Sequence, residues 1–205
     1  MASRRDFLQL GIAVSALPLA LKTLQTSPAV RTEAVPVSPD ATRGRHFYKV
    51  IVDSRIPESL RFGERMREMG SVVHEITGDI TDLWFHDLHA QWTKQPVAIA
   101  GLTEHGPLFC LERLAWDHQM RVVYRAEHTP ANGCLQHRIS GPEQVLSRAA
   151  SLETAGADWD THAARLVSAC PDGRSPAMQA TVVTRLTTVG GDREPLLSWV
   201  IAPVA

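Results

Sequence analysis

The sequence predicts an α/β fold, a three-layer sandwich with a mainly parallel central sheet and a C-terminal antiparallel hairpin. Three observations carry that expectation. Apolar runs end near residues 52, 102 and 126, and stretches of helical period lie between them. Two β-rich segments close the chain with Gly190-Gly191 between them, the text of two strands joined by a loop. Hydrophobic residues make up 44% of the 205 and charged residues 21%, enough to bury a core and too apolar for a disordered chain.

Taken in order, the run 46–52 is nearly continuous in apolar residues and suits a strand covered on both faces, ending at Asp53. Pro57 then opens a helix to Met69, with Leu60, Gly63 and Met66 or Arg67 facing the sheet and Gly70 stopping it. A short strand over 71–76 leads to 77–82, where a second helical stretch starts. The run 96–102 is the most apolar strand, and Thr103 introduces a helix whose Leu108, Leu111, Leu114 and Ala115 form the covering stripe. Residues 119–127 return as a fourth strand. Successive strand, helix, strand units favour parallel pairing with right-handed crossovers. Beyond Thr129 the pattern predicts a short strand over 135–139, helices over 142–152 and 160–170, and a hairpin of 178–186 with 196–201.

The first 29 residues stand apart. Arg4 and Arg5 precede an apolar run from Phe7 to Leu21, too short for a comfortable membrane span and suited to an export signal. Ser3-Arg4-Arg5-Asp6-Phe7-Leu8 resembles the twin-arginine export motif, with Gln9 where lysine is commoner. The resemblance implies the twin-arginine export machinery as a partner, transport in the folded state, and a periplasmic or otherwise exported location. A cut after Ala29 releases the chain; retention of the segment would leave it membrane-anchored. In signal and size the chain also resembles small accessory subunits of exported dehydrogenases, which implies an exported enzyme partner. The expected organisation is a signal over 1–29, a tether over 30–44 and a single α/β domain over 45–205.

The formal charge is -1 for the whole chain. Loss of 1–29 removes Arg4, Arg5, Lys22 and Asp6, so the mature part carries -3 and offers no overall electrostatic case for nucleic acid. Cys110, Cys134 and Cys170 are spaced 24 and 36 residues apart, which matches no compact metal motif and leaves disulfide pairing open. Cys110, among Leu108, Phe109, Leu111 and Leu114, is expected to be packed.

Chemistry is expected at the carboxyl ends of parallel strands. There the sequence supplies Asp53 and Arg55, then Gly101, Thr103, Glu104 and His105, then Glu127 and His128. The turn from Gly101 to Gly106 enters a helix whose free N–H groups suit an anionic oxygen, but it lacks both the dinucleotide and the phosphate-loop patterns. A small anionic ligand is therefore the expected occupant. The alternative is an enzyme for an anionic or carbonyl substrate, with His105 or His128 as acid or base and Asp53 or Glu104 orienting it. No metal is expected: His86 and His89 share a helix face, yet no ligand motif surrounds them. No cofactor is specified. Trp84, Leu88 and Trp92, spaced by four, are the expected partner surface.

Overall fold

Pro57 opens the first helix and Gly70, at φ 87°, lies just beyond its end, where a fixed φ and a left-handed turn are respectively favoured. A computed structural model describes residues 46–171, 177–185 and 194–204. In it this helix, α1 (Pro57–Glu68), connects β1 (Lys49–Asp53) to β2 (Val73–Ile76). Its buried residues are Ser59, Phe62, Gly63 and Met66, so Leu60 is half-buried where the sequence pattern placed it inward.

A helical segment follows: α2 (Thr81–Leu83), a π-helical turn (Trp84–Leu88) and α3 (His89–Lys94). It leads to β3 (Ile99–Thr103), α4 (His105–Trp116) and the long hairpin of β4 (Met120–Ala131) and β5 (Cys134–Pro142). α5 (Glu143–Leu146), 3-10 turns at Ala149–Leu152 and Gly156–Asp158, and α6 (Trp159–Ser168) cross back before β6 (Ala177–Arg185) and β7 (Leu196–Pro203).

The expected mainly parallel sheet is not what forms. The strand order is β2-β1-β3-β7-β4-β5-β6, and only β1 with β2 and β1 with β3 are parallel; the other pairs are antiparallel. The sheet is mixed and mainly antiparallel. The expected C-terminal hairpin is also absent, because β7 inserts between β3 and β4 while β6 pairs with β5 at the edge. The physical reason is burial. β7 is buried at Leu197 through Ala202, so it needs partners on both sides and cover on both faces, whereas β6 alternates as an edge strand does.

One face of the sheet carries Val52, Leu102, Val200, Tyr124 and Ile139 into a core shared with α1, α5 and α6. The opposite face carries Ile51, Ile99, Trp199 and Ile201 under the π-helical segment, α3 and α4. Beside α4, part of the second face over β4, β5 and β6 holds an open depression of about 370 Å³ lined by Glu112, Arg125, Glu127, Arg138, Ser140 and Gln179 among others. All described residues belong to one compact unit.

Candidate functional site

At the carboxyl ends of β1 and β3, the chain turns sharply after Asp53 and brings Arg55 back over it. Asp53 is fully buried and accepts from Arg55 Nε at 2.9 Å, Arg55 Nη2 at 2.6 Å and the Arg55 backbone N–H at 3.0 Å. Arg55 Nη2 also donates to Glu104 Oε2 at 2.9 Å, at the N-terminus of α4. The floor is rigid: Ser59 Oγ accepts from the Asp53 N–H and donates to the Leu102 carbonyl, joining β1, α1 and β3. Gly78, at φ 84°, completes the rim, since a Cβ there would collide with Arg55 Nη2.

Asp53, by hydrogen bonding and then by charge, raises the pKa of the guanidinium above its already high value. Half of the Arg55 side chain is exposed and its Nη1 donates to nothing among the described residues. This leaves one oriented edge for an oxygen acceptor. Two carboxylates around one guanidinium leave the cluster net negative, which favours a neutral carbonyl over the small anion expected from the sequence.

The other residues expected at this rim do not join the Arg55 cluster. Gly101 is a close-approach position: a Cβ would sit 2.5 Å from the Ile51 carbonyl oxygen and 2.6 Å from the Trp199 ring. Thr103 is buried and accepts from Trp199 Nε1 at 3.1 Å. His105 is exposed and stacks on Phe109, with ring centroids 5.8 Å apart. Glu127 and His128 are inside β4 rather than at its exit, and β7 separates them from β3. Glu127 lines the open depression beside Arg138 at 3.5 Å.

His128 is 1% exposed and belongs to a buried polar row. Its Nδ1 is 2.6 Å from His137 Nδ1 and its Nε2 is 2.9 Å from Ser198 Oγ. His137 Nε2 is 2.8 Å from Thr184 Oγ1, and Tyr124 Oη is 3.4 Å from Ser198 Oγ. Trp159 covers both imidazoles at centroid distances of 4.5 and 5.8 Å. Burial lowers both histidine pKa values, His137 to about 4 and His128 well below the ordinary value, the latter also through its neighbour. Burial likewise pushes the Tyr124 hydroxyl up. His137 carried no sequence signal as an isolated residue. The pattern that reveals it is the alternation Leu135, His137, Ile139 opposite Tyr124, Ala126, His128, which puts both histidines on one apolar face.

The expected partner surface is corrected by burial. Leu88 and Trp92 are core residues at 0% and 1% exposure, and Trp84 is half-buried against Trp92 and His118. Within that segment Phe85 of the π-helical turn is the exposed aromatic, at 68%, and a second exposed aromatic surface lies on α4. Phe109 and Trp116 are 47% and 42% exposed, Arg113 lies over both rings at 5.4 and 4.3 Å, and Arg121 reaches Trp116 at 5.9 Å. Cys110 lies on an exposed part of the same helix, contrary to the packed position expected from its neighbours; Cys170 is the buried cysteine. No disulfide joins the cysteines, and no cluster of metal-ligating side chains occurs among the described residues. Comparison with protein families, curated proteins and solved structures finds no match to this chain.

Proposed function

We propose that the protein is an exported accessory subunit that docks on a redox or catabolic enzyme through the outer face of α4. The carrying observation is the stack of His105, Phe109, Arg113, Trp116 and Arg121, in which exposed aromatics are held in place by cations. Aromatics and arginine are the side chains that contribute most to protein interfaces, and stacking lowers the entropy lost on binding. Two arginines on this face suit a partner surface with acidic groups around an apolar patch. An acid–base enzyme is less well supported, because His128 is sealed and His105 is stacked on Phe109, while Arg55 offers an open donor edge at the strand exits.

The export assignment rests on Arg4 and Arg5, which lie outside the described residues. Among the described residues no helix is long and apolar enough to cross a membrane. Substituting both arginines by lysine is expected to retain the precursor in the cytoplasm, measured by fractionation.

The docking proposal is tested by photo-crosslinking from position 109 or 116 in the native host, followed by reconstitution with the captured exported enzyme. The Phe109→Ser/Trp116→Ser variant should weaken that complex at least tenfold with an unchanged circular dichroism spectrum, and salt should weaken the wild-type complex. An unchanged affinity in the variant rejects the α4 surface.

A second use of the molecule is supported by the open Nη1 edge of Arg55: contact with the carbonyl oxygen of a small ligand. Glu104→Gln preserves the Asp53 clamp and removes one negative charge, so a carboxylate probe should bind the variant better than the wild type in an NMR titration.

A further inference from the structure

The buried row across β7, β4, β5 and β6 has a single consistent direction of proton donation. The Leu152 carbonyl can only accept, so the Thr184 hydroxyl hydrogen is committed to it. Thr184 Oγ1 must then accept from His137 Nε2–H, which leaves His137 Nδ1 as an acceptor. His128 Nδ1–H therefore donates to His137 Nδ1, and neutral His128 accepts at Nε2 from the Ser198 hydroxyl. Tyr124 Oη–H completes the row by donating to Ser198 Oγ. Both tautomers follow from one carbonyl.

No imidazole nitrogen in this row accepts a proton without breaking it. A proton on His128 Nε2 turns the Ser198 hydroxyl around, and either its hydrogen or that of Tyr124 is left without an acceptor in the row. A proton on His137 Nδ1 sets two N–H groups head to head across the 2.6 Å contact.

Among the described residues the surrounding elements supply no counter-charge. β7 presents Ser198, β4 Tyr124, β6 Thr184 and α6 Trp159. Asp160, next to Trp159, is held by Arg61 of α1 at 2.6 Å, and the buried Cys170 is close enough to affect Tyr124. Farther along α6, His162 is half-buried and Arg165 exposed; Glu143, Arg148, Glu153 and Asp158 on the covering segments face solvent.

We infer that the His128–His137 row is an acid-sensitive latch that holds the segment from α5 to the start of α6 against β4, β5 and β6 and releases it when the two imidazoles are protonated. The segment is tied at Leu152 through Thr184 and by Trp159 over the rings, so it is the cover that must move for water to reach them. The result is a pH-gated exposure of this half of the sheet.

Hydrogen exchange on the full chain between pH 7.5 and 5.0, corrected for intrinsic rates, tests the latch. If two imidazoles of ordinary pKa become protonated on opening, the opening constant of 143–159 rises about a thousandfold over this interval. β1 and β3 should remain protected at times when this segment has exchanged. His137→Gln should reduce the rise to about thirtyfold. Independently of that variant's folding, nitrogen NMR of the wild type at pH 7.5 should show His128 protonated at Nδ1 and His137 at Nε2. Opposite tautomers, a pH-independent opening constant, or loss of protection in all strands together would overturn the inference.

Discussion

Gly101 shows how one side chain, or its absence, determines a strand's neighbour. Its missing Cβ lets the Trp199 ring pass across β3 and donate from Nε1 to Thr103. With Cβ present, the 2.5 Å approach would be to the Ile51 carbonyl, a backbone atom that cannot rotate away. Gly101→Ala should therefore cost about 2 to 3 kcal/mol through overpacking, measured by urea denaturation. Gly106 provides the contrast, since an added Cβ there would meet nothing within 4 Å: Gly106→Ala near the start of α4 should be neutral or mildly stabilising.

Among the elements, the π-helical turn has a mechanical explanation. Its wider winding lets Leu88 remain fully buried while Asp87 reaches back to β1, accepting from Tyr48 Oη at 2.6 Å and pairing with Lys49. Burial raises the Asp87 pKa, but the hydrogen bonds from Lys49 and Tyr48 outweigh it, and the carboxyl is held below its ordinary value of 3.8. A depressed carboxylate stabilises the fold above the unfolded pKa, and that contribution is lost as pH falls through the folded one. Asp87→Asn should thus destabilise by about 1 to 3 kcal/mol at pH 7. The difference from wild type should shrink as denaturation is repeated toward pH 3.

For the whole molecule, the last strand is the keystone. Among the described strands β7 joins the β2-β1-β3 group to the β4-β5-β6 group, and its pairings with β3 and β4 close long stretches of chain. Truncation before Leu196 would expose two apolar edges at the centre of the sheet. The shortened chain should show no cooperative thermal transition by circular dichroism and should aggregate. These long-range pairings also predict folding slower than that of a helical protein of similar length, measurable by stopped-flow fluorescence.

Local information was sufficient for most elements. The helix from Pro57, the apolar strand expected over 96–102 and found at Ile99–Thr103, with Glu104 rather than Thr103 at the head of α4, and the stripe of Leu108, Leu111 and Ala115 follow from period and capping, which act over a few residues. Candidate polar residues at strand ends were also legible, and Asp53, Arg55 and Glu104 do meet. Their grouping was not, because it depends on which strands are adjacent. Sequence neighbours β6 and β7 suggested a hairpin, yet the near-complete burial of β7 against the alternation of β6 sends one to the centre and the other to the edge. That insertion separates His128 from β3, while the β4–β5 register pairs it with His137 under Trp159. Elements and their apolar faces are properties of short stretches of chain. Their partners are set by the folded molecule as a whole, because pairing energy is shared between residues far apart in the chain.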